Sequence, residues 1–115
     1  MAIYNTAITT TAAAMASGSG TRAVTTIIVC NKAVYNPSNP TAGLTNLYLY
    51  AVPAADVSGG VLDKHLIVNG LPVPAGETVS LDQEKLVLEN SDAVFAKSET
   101  GSPANLVITV STLAV

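Results

Sequence analysis

The chain has 115 residues, of which 49% are hydrophobic and only 11% charged, with a net charge of −3. That length fits one domain with a real core and is too short for two. The charge balance argues against a nucleic-acid or anionic-membrane surface, because the five basic residues, Arg22, Lys32, Lys64, Lys85 and Lys97, form no stripe.

A soluble domain ordinarily carries about 25% charged residues. Here Thr, Ser, Asn and Ala take their place. Either the surface is neutral and polar, or much of it is covered by copies of the chain or by a partner. All eight acids lie from Asp56 to Glu99, which makes the first half slightly positive and the second half negative. No basic start and apolar core suggest a secretion leader. No apolar run approaches the roughly 18 residues of a membrane span.

In chain order, residues 1–20 read as an N-terminal arm, extended in part and closed by the Gly/Ser linker "SGSG". Residues 21–115 read as the folded domain. "TRAVTTIIVCNK" is a β-branched strand, with Val24, Thr26, Ile28 and Cys30 on one face and Ala23, Thr25, Ile27 and Val29 on the other. Both faces are apolar near its end, so a central strand covered on both sides is expected. Cys30 has no partner for a disulfide and reads as a buried small hydrophobe.

"AVYNPSNPTAG" is a loop. "LTNLYLYAVP" alternates, with Leu47, Leu49 and Ala51 inward and Asn46, Tyr48 and Tyr50 outward. Paired outward tyrosines suit an interface, a cross-strand pair or a sugar platform. "PAADVSGG" is a loop, and "VLDKHLIVNG" is a strand closed by an Asn-Gly turn. Pro74 and Gly76 make a turn before "ETVSL", "DQ" a tight connection before "EKLVLEN", and "SD" a turn before "AVFAK". "LVITVSTL" closes the chain with Leu106, Ile108 and Val110 on one face. The expected fold is all-β: an antiparallel β-sandwich or jelly-roll of about seven to eight short strands with an extended N-terminal arm.

Reactive residues are sparse. His65 is the sole histidine, and any triad or general base would use it. Asp63 and His65 share a strand face and with Glu77 make a poor zinc set. Asp82, Glu84, Glu89 and Asp92 bracket two turns without the oxygen-ligand spacing of a calcium loop, and read as solvated residues guarding edges. The glycine-rich stretches lack the Lys-Ser/Thr of a phosphate loop. The expectation is a non-enzymatic chain with no cofactor and no metal.

Over residues 22–115, "TTIIVCNK", "LYLYAVPAA", "KHLIVNGLPVPAGETVSL", "EKLVLENSDAVFAK" and "ANLVITVSTLAV" occur in an order that resembles small virion proteins of tailed bacteriophages. The resemblance implies a β-sandwich that builds a phage particle. It would be a capsid decoration (cement) protein stabilising the head shell, or a tail, neck or fibre-associated component. It implies location in the virion, assembled in the host cytoplasm, with the major capsid protein or other virion proteins as partners. It also implies a homo-oligomer, a trimer above all, by closed symmetry. The lack of an aromatic-rich distal domain favours decoration over adhesion. Candidate interface residues are Ile3, Tyr4, Ile8 and Met15 of the arm with Tyr35, Tyr48 and Tyr50. A glycan-binding module using Tyr48, Tyr50 and loop 36–41 stays open.

Overall fold

A computed structural model describes residues 2–15, 20–81, 86–99 and 106–114. Among them nine strands form two antiparallel sheets: β1 (Ala2–Ala7), β2 (Ala13–Met15), β3 (Arg22–Asn31), β4 (Thr45–Val52), β5 (Leu66–Val73), β6 (Thr78–Leu81), β7 (Leu86–Leu88), β8 (Ala93–Ser98) and β9 (Leu106–Ala114). The first sheet runs β1-β9-β3-β6, with β7 also on β3, and the second runs β2-β8-β4-β5. The all-β, sandwich-like architecture expected from the turn spacing is therefore present.

Of the residues expected to form an arm, 2–15 instead give one strand to each sheet, while the expected linker at 17–19 lies outside the described residues. β1 pairs with β9 from Ala2–Thr112 to Ala7–Val107, and β2 pairs with β8. The Ile8 N–H donates to the Leu106 carbonyl at 2.8 Å, and the Ser98 N–H donates to the Thr9 carbonyl at 2.9 Å. The cause is apolar. Ile8 and Met15 are buried in the main core with Val24, Ile27, Val29, Leu47, Leu49, Val73, Val94, Leu106, Ile108 and Val110. Each such buried aliphatic side chain contributes about 1.5–3 kcal/mol.

β3 is central, between β9 on one side and β6 and β7 on the other, but it is covered on one face only. Its register with β9 skips a residue between Val24 and Thr26. The bulged Thr25 shifts the alternation, so Arg22 and Val24 point inward, then Ile27, Val29 and Asn31. Ile28 and Cys30 are left exposed, which corrects the expected buried thiol.

β6 and β7 do not pair with each other. β6 lies antiparallel to β3 at Ile27–Cys30 and β7 at Arg22–Val24, so the two run end to end along one edge. The connection predicted at Asp82–Gln83 lies outside the described residues. The Asn69–Gly70 pair is not a turn either: Gly70, at φ 74°, is a bulge inside β5, passed over between the pairs Leu47–Leu71 and Tyr48–Asn69. The turn at Pro74–Glu77 is present, with the Glu77 N–H donating to the Pro74 carbonyl at 3.1 Å and Gly76 at φ 78°.

A second apolar cluster lies on the far side of the second sheet. Tyr50, Val52, Ala93 and Phe95 form it, with Ala12, Val57, Val61 and Leu66 packed against them. Val57 sits on a 3-10 segment, Ala54–Gly59, and a second such turn, Asp63–His65, replaces the expected start of a strand.

Candidate interaction surface

The candidate interface residues do not gather into one patch. Ile3 is 64% exposed on the outer face of β1 and Tyr35 is exposed in the loop after β3, but Tyr4 turns inward against the core. Ile8 and Met15 are core residues, at 1% and 5% exposure. Tyr50 is 5% exposed because the segment carrying Val57 folds over its face of the sheet. Tyr48 is half-buried beneath Lys97, whose Nζ lies 5.3 Å from the ring centroid.

A different surface emerges on the outer face of the first sheet. Register places Leu113, Ala23 and Val87 in one row across β9, β3 and β7. Ile3, Ser111 and Thr26 form the next row, and Asn5, Thr109, Ile28 and Ser80 another. Ala7, Val107, Cys30 and Thr78 complete it. Not one of these side chains is charged. Ile3, Ile28, Val87 and Leu113 are exposed among hydroxyls, and the Thr109 hydroxyl donates to Asn5 Oδ1 at 2.8 Å. The Thr25 bulge is what turns Ile28 and Cys30 onto this face, and unbroken alternation in the sequence gives no sign of it.

Most described charges lie elsewhere: Asp56, Asp63 and Lys64 occupy the 3-10 segments, Glu89 and Asp92 the turn before β8, Lys97 and Glu99 the far face of the second sheet, and Arg22 is buried. Exposed Lys32, just past β3, and Glu77, just before β6, stand at the margin of the neutral face. Several of the charges are tied down. The Nδ1 of His65 accepts the Leu62 N–H at 2.9 Å, which leaves the hydrogen on Nε2 to donate to Asp56 Oδ2 at 3.1 Å. That bond, with Lys64 Nζ 3.6 Å away, holds the Asp56 carboxyl below the usual carboxylate range. His65, buried and engaged at both nitrogens, pins the two 3-10 segments together. No group of three His, Cys, Asp or Glu with metal-binding geometry occurs among the described residues.

Asp92 is a second pin. It accepts the Ala54 N–H at 2.8 Å and the Glu89 N–H at 2.9 Å, and these bonds lower its carboxyl below the ordinary value. Beside it, buried Arg22 donates to the Glu89 carbonyl at 3.1 Å. At the other end of β3, buried Asn31 donates to the carbonyls of Gly43 and Val73, each at 2.8 Å, and accepts the Ala33 N–H at 3.0 Å. Sequence reading missed both residues as structural. The available signal was a polar side chain at each end of an otherwise apolar strand.

The site so built holds no reactive constellation. It is a neutral, lightly apolar sheet face that could be covered without removing a charge from water. No protein-family model, curated protein or solved structure matches the chain.

Proposed function

We propose that this protein is a structural subunit that works by binding other proteins through the outer face of its first sheet. One observation carries the reading: that face, four strands wide, presents exposed Ile3, Ile28, Val87 and Leu113, and none of its described strand residues is charged. Depletion of charge is the compositional mark of interface centres. The sequence resemblance gives the assembly a name. On that ground the chain is a component of a tailed-phage virion, a capsid decoration protein that binds the head shell, with the major capsid protein as partner and itself as a further one. A tail or neck position is the second form of the same reading. The glycan reading loses its platform, since Tyr50 is buried and Tyr48 lies under Lys97.

The test is a count of copies in purified particles by quantitative mass spectrometry. Hundreds of copies per particle support head decoration, and a few to a few dozen support the tail or neck. Absence from particles overturns the virion reading. An Ile28→Glu chain that folds normally should load poorly.

A further inference from the structure

The four sheet edges are not alike. β2 is only three residues long, β5 carries Pro72 and the Gly70 bulge, and the β6–β7 edge is interrupted. Short length, proline and bulges are the usual protection of an edge against a foreign strand. β1 has none of them. Its register with β9 is unbroken, and it contains no charge, proline or glycine.

The polarity of its hydrogen bonds follows from one contact. The Ile8 N–H points to β9, at the Leu106 carbonyl. By alternation Thr6 and Tyr4 also point to β9, so Ile3, Asn5 and Ala7 direct their N–H and C=O groups away from it. No described residue bonds to these outward groups.

We propose that β1 pairs antiparallel with β1 of a second copy, about a two-fold axis passing through Asn5. This register sets Ile3 opposite Ala7 and Asn5 opposite Asn5, so each outward residue meets an outward residue and exchanges both backbone bonds with it. The side chains agree with it. The large Ile3 meets the small Ala7, the two Asn5 amides face each other, and no like charges meet. On the inner side Tyr4 meets Thr6. A second copy is the occupant because the segment is complementary to itself in this register, and because pairing joins two uncharged faces into one sheet twice as wide. The proposal deepens the subunit reading by naming a partner, and does not require the assembly to be a virion.

The experiment uses the full chain in a Cys30→Ser background. Sedimentation equilibrium should give a dimer mass that dissociates on dilution. Asn5→Cys, on the axis, should form a covalent dimer under mild oxidation. Ile3→Cys alone should not, whereas Ile3→Cys with Ala7→Cys should. Asn5→Lys, and independently Ala7→Lys, should weaken the dimer by roughly tenfold or more while the unfolding midpoint stays near that of the parent. Asn69→Lys, on the protected β5 edge, should leave the dimer intact. A monomer at all concentrations, a trimer mass, or crosslinking indifferent to position would overturn the pairing. A monomer that still loads onto particles would leave the subunit reading standing, while a dimer absent from particles would remove only the virion reading.

Discussion

His65 and Asp56 are joined by an Nε2–H···Oδ2 hydrogen bond of 3.1 Å, and the other ring nitrogen of His65 accepts the Leu62 N–H. This pair fastens the lid that buries Tyr50 and Phe95, so the stability of the second apolar cluster depends on one imidazole. His65→Ala leaves a cavity and an unsatisfied N–H. It is expected to cost about 2–4 kcal/mol, read as a lower urea midpoint. Near-ultraviolet circular dichroism should lose tyrosine signal before the far-ultraviolet sheet signal falls. A variant as stable as the parent would show that the lid holds without the pin.

Acid should loosen the same region. The folded-state carboxyls of Asp56 and Asp92 lie below their ordinary value of 3.8. Their stabilisation is therefore complete above about pH 4 and is lost as pH falls through the lower folded-state values. Unfolding midpoints measured from pH 6 down to pH 2 should drop over the acid end. The drop should be smaller for an Asp56→Asn, Asp92→Asn double variant.

Asn31→Leu should be the most damaging single polar substitution. It strands the Val73 carbonyl in a buried place and removes the part-buried bonds to the Gly43 carbonyl and the Ala33 N–H. The expected loss is about 3–5 kcal/mol, measured by chemical denaturation.

Gly70→Val tests the bulge in β5. A β-branched residue at φ 74° is strained whatever the space; a Cβ placed there meets the Tyr48 ring at 3.7 Å, an ordinary contact distance. A loss of roughly 1–3 kcal/mol is expected. If the chain relaxes the bulge instead, amide exchange along Leu66–Asn69 should accelerate as the register slips.

Ile28→Glu should behave oppositely. On a solvent face it is expected to change stability by no more than about 0.5 kcal/mol. A large destabilisation would mean that the face is part of the fold rather than a surface for partners.

The residues explain how much of this could be read beforehand. Leu106, Ile108 and Val110 alternate without interruption, and so do Leu47 and Leu49. Period-two reading placed all five correctly, because nothing breaks the pleat there. The reading failed on β3, where Thr25 inserts one residue and exchanges faces for Ile28 and Cys30. It failed differently at Tyr50, whose outward direction was right. What covers Tyr50 is a segment carrying Val57 that only the tertiary fold brings there. Residues 2–15 misled through composition: small and hydroxylated side chains suggest looseness, while Ile8 and Met15 suffice to dock them. The neutral sheet face was legible as a charge deficit but not as a place, since its rows draw on β1, β3, β6, β7 and β9 from across the chain.

Ala2 stands opposite Thr112 in the pairing of β1 with β9. The two ends of the described chain therefore lie close together, Ala2 roughly 5 Å from Thr112 at the backbone and Ala114 two residues beyond. A short linker between them should close the chain into a ring, and new termini opened in the loop at 36–43 should yield a circular permutant with the same two sheets. Mechanical load applied at the two ends would act otherwise. It would peel β1 from β9 one bonded pair at a time, so the chain should open at low force from that corner while its central strands stay closed.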